Sequence, residues 1–89
     1  MIGLHGIANR YDVSLVDPEG FDRTDAELLP LCIAAVTETI ELAGFLVDKL
    51  GPESECPGIF LGDLKAAKHR LAMARADLSV LRPAASAAA

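Results

Sequence analysis

The longest regular pattern in the chain lies between residues 24 and 50. Apolar residues recur there at alternating spacings of four and three, which is typical of one face of an α-helix. This first row consists of Leu29, Ile33, Val36, Ile40, Ala43, Val47 and Leu50. A second row beside it consists of Leu28, Cys32, Ala35, Thr39, Leu42 and Leu46. Two adjacent rows form a face wide enough for more than one neighbouring helix, which favours a helix in a bundle interior.

The ends of this helix are marked by residues that cap and stop helices. Thr24 and Glu27 have the spacing of a capping box. The Gly-Pro pair at residues 51–52 is a helix stop. Pro30 interrupts the pattern, because proline lacks an N–H group. We therefore expect either a kink there or a helix that begins near Leu29, with Pro30 in its first turn.

A second helix is predicted over residues 63–82, with Asp63 as its N-cap and Pro83 as its stop. Its apolar row consists of Leu64, Ala67, Leu71, Ala74, Leu78 and Leu81. The Ala-rich residues 83–89 have no packing pattern, so we expect a flexible tail. Together, residues 24–82 predict two helices of similar length that pack antiparallel as a hairpin.

The remaining segments give weaker patterns. Residues 1–23 show no helical period, and Tyr11, Val13 and Leu15 alternate with polar residues as in a short strand. We expect an N-terminal arm there that is extended or partly disordered. In the connection between the helices, the apolar residues 59–61 are expected to fold back and close one end of the core.

The predicted fold class is therefore all-α: a two-helix antiparallel hairpin with an extended N-terminal arm, which dimerises into a four-helix bundle. The wide apolar face favours dimerisation, because one partner helix covers only one row. The first helix has a net charge of −4 and the second of +3, so unlike helices attract. The candidate dimer or partner face consists of Leu29, Ile33, Val36, Ile40, Val47, Leu50, Leu64, Leu71 and Leu78.

Composition narrows the class of protein. The 89 residues are 52% hydrophobic but only 4% aromatic, which suits a small helical domain. The net charge of −5 argues against a general nucleic-acid binder, because phosphate contacts need a surplus of Lys and Arg. The two cysteines, Cys32 and Cys56, are too few for a disulfide framework.

The longest uncharged apolar run covers residues 28–37, which is shorter than a membrane span, and residues 1–7 lack a targeting pattern. We therefore expect a cytoplasmic protein with no membrane partner.

One side of the second helix is basic. It carries Lys65, Lys68, Arg75 and Arg82, at spacings of three and seven. These residues are candidates for contacting an anion or a partner, and paired basic helices of a dimer would suit a nucleic-acid backbone. The simpler interpretation is a solvated helix flank whose cations pair with Glu38, Glu41 and Asp48.

No cofactor, metal site or catalytic set is predicted. His5 and His69 do not stand at ligand spacing from either cysteine or from each other. Glu38 and Glu41 lie three residues apart, but they fall on the polar side and no histidine follows at the spacing of di-iron bundles. An enzyme with a cationic pocket for a dianionic metabolite, built with Arg70 or Arg75, has only the charge in its favour.

The sequence therefore favours a small non-enzymatic interaction or regulatory protein that acts as a helical homodimer and binds another protein. A nucleic-acid-binding bundle that uses the basic side of the second helix is the first alternative. A helical protein or enzyme that binds a small metabolite is the second.

Overall fold

A computed structural model describes the backbone of residues 3–88 and the side chains of residues 3–82. This part of the chain contains helices α1 (Leu4–Arg10), α2 (Asp25–Leu50) and α3 (Leu61–Ala88). A 3-10 turn, Gly58–Phe60, precedes α3, and no strand occurs in the described part. The predicted all-α class is confirmed.

Helix α2 has the ends that its sequence predicts. The N–H of Glu27 donates to Oγ1 of Thr24 at 3.2 Å, and that hydroxyl donates to Oε1 of Glu27 at 3.1 Å. At the other end, the N–H of Gly51 donates to the carbonyl of Val47 at 3.0 Å, and Gly51 has a φ of 73°. Pro30 lies inside the helix. The expected alternative start near Leu29 is wrong, because Thr24 already caps a helix that begins at Asp25.

Helix α3 departs from its predicted bounds at both ends. It begins at Leu61, directly after the 3-10 turn, so Asp63 lies in the first turn instead of capping the helix. The predicted stop at Pro83 is also wrong, because the backbone stays helical to Ala88. Alanine has the highest helix propensity, which favours a helical backbone over residues 84–88 despite the preceding proline. Residue 89 of the predicted flexible tail lies outside the described residues.

The N-terminal arm is the largest correction to the prediction, because residues 4–10 form helix α1. Their periodicity is short but visible: Leu4, Ile7, Ala8 and Tyr11 have the spacings of one helix face. Ile7 and Ala8 have no solvent exposure. A helix of two turns is stabilised mainly by packing, and its pattern is too brief to stand out in the sequence.

Residues 11–23 connect α1 to α2 without forming the predicted short strand. A single antiparallel bridge joins Val16 and Asp22. Val13 and Leu15 instead pack against the core. Their alternation reflects inward and outward positions of an irregular segment. Residues 1 and 2 of the expected arm lie outside the described residues.

The core is shared by all three helices. It is a buried cluster of Ile7, Ala8, Cys32, Val36, Ala74 and Leu81. Helix α2 contacts both α1 and α3. The apolar row predicted for α3 faces this core, since its members are buried or half-buried. The molecule measures 48 × 27 × 20 Å, so it is elongated for a chain of this length.

Candidate functional site

A buried carboxylate joins the N-terminal segment to α3. Asp77 Oδ1 and Oδ2 accept hydrogen bonds from the same nitrogen of Arg10, Nη1, at 2.9 and 2.8 Å. The hydroxyl of Tyr11 donates to Oδ2 of Asp77 at 2.6 Å. The Asp77 side chain is only 8% exposed. Because a buried charge requires partners, this network holds the end of α1 against α3.

The network also changes the chemistry of Tyr11. Burial, followed by the hydrogen bond to Asp77 and the negative charge of that carboxylate, raises the pKa of Tyr11 to about 12. A tyrosinate there would face the Asp77 carboxylate without a proton between them. Tyr11 is therefore a hydrogen-bond donor at neutral pH and not a base.

Sequence reasoning missed this network, although Asp77 gives a signal. It lies three residues after Ala74 and four before Leu81, on the buried side of α3. A charged residue in phase with a buried row predicts a partner elsewhere in the chain. Which residue supplies that partner depends on α1, whose helical pattern is short.

A cleft of about 520 Å³ opens beside the network. Arg10, Tyr11 and Asp12 come to it from the end of α1, and Thr39 comes from α2. Helix α3 contributes Ala66, His69, Arg70 and Met73. Pockets for small ligands occupy about 300–1,000 Å³, so the cleft has a suitable size. Arginine and aspartate side chains line it together with apolar surface.

The backbone at Asp12 is unusual. Asp12 has a φ of 58°, the left-handed region in which glycine is favoured. It closes α1: the N–H of Val13 donates to the carbonyl of Ala8 at 2.8 Å, and the N–H of Asp12 donates to that of Asn9 at 3.4 Å. This pattern is the Schellman motif, which usually has glycine at the position of Asp12. An aspartate therefore stands at the cleft at some cost in stability.

A second surface of interest lies on the C-terminal half of α2. Leu42 and Phe45 are 64% and 62% exposed, and Leu46 and Phe60 are exposed beside them. We call these four residues the open strip. Leu46 and Phe60 line one shallow cleft of about 320 Å³, and Leu42 and Leu46 line another of about 190 Å³. The prediction that residues 59–61 close the core is wrong for Ile59 and Phe60, which are 83% and 43% exposed.

The predicted dimer face overlaps only in part with surface that a partner can reach. Val36 and Leu64 have no exposure, so they belong to the core of a single chain and not to an interface. The other predicted positions are half-buried: Leu29, Ile33, Ile40, Val47, Leu50, Leu71 and Leu78. In the C-terminal half of α2, the most exposed apolar residues are Leu42, Phe45 and Leu46, which lie in the second row and beside it.

The basic residues of α3 are all exposed: Lys65, Lys68, Arg75 and Arg82. Among the described side chains, only Lys68 has an acidic partner, Glu53 at 3.4 Å. The expected pairing with Glu38, Glu41 and Asp48 is therefore not found in this part of the chain. The use of this side for an anion or nucleic acid stays a prediction.

The remaining candidate residues do not converge. Cys32 is buried, and burial raises the pKa of its thiol. Cys56 is half-buried in the connection and forms no disulfide. No cluster of three metal-binding side chains occurs among the described residues.

Helix α2 has a further property that bears on where the chain resides. By length and composition alone, it is apolar enough to cross a membrane. Between Glu27 and Asp48, only Glu38 and Glu41 are charged. The same test is passed by core helices of soluble proteins.

Comparison with known proteins gives no relative. No protein-family model, no curated protein and no solved structure matches the chain. Each role proposed below is therefore inferred from the contacts, burial and charges of the chain's own residues.

Proposed function

We propose that this protein is a non-enzymatic interaction protein of the cytoplasm that acts as a helical homodimer. In the dimer, α2 and α3 form an antiparallel hairpin, and two hairpins form a four-helix bundle. The occupant of the open strip is a second copy of the chain. The exposure of Leu42 and Phe45 carries this proposal, because neighbouring exposed apolar side chains mark binding surfaces.

Unpaired charges support a second copy over an unrelated partner. Helix α2 carries Glu38, Glu41 and Asp48 without an ion-pair partner among the described side chains. Helix α3 carries Lys65 and Arg75 in the same condition. A two-fold axis that sets α2 of one copy beside α3 of the other brings both sets together twice. These pairs favour the correct orientation more than they stabilise the dimer.

Sedimentation velocity at micromolar concentration tests the proposal. The wild type is expected to sediment as a dimer. Phe45→Glu should raise the dimer dissociation constant at least tenfold, because it places a charge in the buried strip. Phe21→Glu is the matched control, since Phe21 is 68% exposed but lies before α2. It should leave the dimer intact.

Two results would overturn this proposal. A wild type that stays monomeric at high micromolar concentration would remove the dimer. Recovery of the expressed chain in the membrane fraction, with release only by detergent, would mean that lipid covers α2 in place of a second copy.

A further inference from the structure

The cleft beside the Asp77 network combines opposite charges with apolar surface. Arg10 uses only Nη1 in its bonds to Asp77, so Nη2 and Nε remain available as donors. Its position is fixed, because its acceptor is buried. Arg70, one of the α3 residues that line the cleft, has no ion-pair partner among the described side chains. The cleft therefore offers guanidinium donors from two directions.

A negative group is also available at the same cleft. The carboxylate of Asp12 has no hydrogen-bond or ion-pair partner among the described residues. Asp12 occupies a backbone position at which glycine would be more stable. Residues with a left-handed backbone cluster at binding and active sites. Arg70 and Asp12 thus leave one positive and one negative charge at a cleft lined elsewhere by Ala66 and Met73.

We propose that this cleft binds a small zwitterion, a molecule with one carboxylate, one ammonium group and a short aliphatic part. The carboxylate is held by Arg70 and by the free donors of Arg10, because guanidinium groups match carboxylates in geometry. The ammonium group pairs with Asp12, and the aliphatic part lies on Met73. A simple anion fits less well, because the charge of Asp12 would repel it. This site goes beyond the proposed dimer, although Arg70 also lines both shallow clefts at the open strip.

Isothermal titration calorimetry of the full chain tests the site with four probes. Norleucine carries its ammonium and carboxylate groups on the same carbon atom, Cα, and 6-aminohexanoate carries them at opposite ends of its chain. At least one of the two should bind with saturation in the millimolar range or below. Hexanoate and hexylamine, which each lack one charge, should bind at least tenfold more weakly than the better zwitterion. The assignment would be overturned if hexanoate or hexylamine bound as tightly as the better zwitterion. It would also be overturned if neither zwitterion bound.

Variants separate this site from a general effect of charge. Arg70→Gln should weaken binding of the zwitterion at least tenfold, since it removes a charge-assisted hydrogen bond. Arg82→Gln removes the same charge from an exposed position of α3 outside the cleft, and it should leave binding unchanged. Equal losses in both variants would mean that the probes respond to overall charge, and the proposal would fail.

Asp12→Gly distinguishes a role of Asp12 in binding from a purely structural role. Glycine relieves the left-handed backbone, so the midpoint of urea unfolding should rise. Binding of the zwitterion should fall at least fivefold in the same variant. Unchanged binding would remove Asp12 from the site. Sedimentation of the Asp12→Gly sample separates this outcome from a failure of the dimer, because Asp12 lines neither of the shallow clefts at the open strip, whereas Arg70 lines both.

Discussion

The two halves of α2 are similar in sequence but different in environment. In the N-terminal half, Leu28, Cys32 and Val36 have no solvent exposure. In the C-terminal half, only Ala43 is buried, whereas Leu42 and Phe45 are mostly exposed. We call them the covered half and the open half. Leu28 and Leu42 belong to the same apolar row, so the row itself does not decide which of them is buried.

The difference is explained by helix α1. Ile7 and Ala8 of α1 pack in one cluster with Cys32 and Val36 of the covered half. At 1.5 Å per residue, the seven residues of α1 span about 10 Å, so they cover only part of α2, which has 26 residues. Helix α3 runs along α2 but covers one side of it. Covering the wide apolar face of α2 therefore needs a third helix in addition to α3. In this chain α1 is that helix, and it covers only the N-terminal half of α2.

The strongest test of the comparison is a matched pair of leucine substitutions in α2. Leu28→Ala should lower the free energy of unfolding by about 2–5 kcal/mol, because it leaves a cavity in the core. Leu42→Ala should change it by less than about 0.5 kcal/mol in the monomer, where this side chain is mostly exposed. Urea unfolding at a protein concentration below the dimer range measures both values. Similar losses in the two variants would mean that the halves do not differ in solution.

The same comparison separates what the sequence predicts from what it does not. The bounds of α2 follow from Thr24, Glu27 and Gly51, because capping depends on residues close together in the sequence and can be recognised there. The buried row of α3 is also predicted, since its period is long. Which residues of α2 are buried is not predicted, because their burial depends on α1. A helix of two turns such as α1 leaves only a weak pattern in the sequence.

The candidate cleft is less predictable than the fold. Arg70 is named from the sequence as one candidate arginine of a cationic pocket. Arg10 and Asp12 are not, because they meet Arg70 only after α1 has docked on α2 and α3. The sequence distance between Arg10 and Asp77 is 67 residues, and no local pattern links them. A long-range ion pair of this kind is visible only in the folded chain.

The attachment of α1 gives the second test, because α1 makes the covered half. Asp77→Asn should lower the free energy of unfolding by about 1–3 kcal/mol. The asparagine amide has one acceptor oxygen where the carboxylate of Asp77 has two. Its NH₂ group would therefore face a donor, either the guanidinium of Arg10 or the hydroxyl of Tyr11. Asp48→Asn is the control in an exposed position, and it should stay within about 0.5 kcal/mol of the wild type. Urea unfolding measures both, and equal effects would argue that Asp77 is not buried.

A smaller effect is expected at the cap of the covered half. Thr24→Ala should lower the free energy of unfolding by about 1 kcal/mol, because the N–H of Glu27 loses its acceptor. Thr37→Ala makes the same change inside α2, where no described hydrogen bond of the side chain is lost. Alanine has the higher helix propensity, so that variant should be neutral or slightly more stable. A loss at position 37 as large as that at position 24 would contradict the role of the cap.

The smallest effect is confined to alkaline solution and reports whether α1 stays docked. The folded chain holds the pKa of Tyr11 at about 12, above the ordinary value of 10.0, because burial and Asp77 disfavour the tyrosinate. A raised pKa in the folded state contributes stability that is fully present below pH 10 and is lost as the pH rises towards 12. The midpoint of urea unfolding should therefore fall over this range, and the fall should be smaller in Tyr11→Phe. Since Tyr11 is the one tyrosine in the sequence, near-ultraviolet absorbance follows its ionisation directly. If Tyr11 ionised at its ordinary pKa, its hydroxyl would be in water and α1 would not be docked. The covered half of α2 would then be as exposed as the open half.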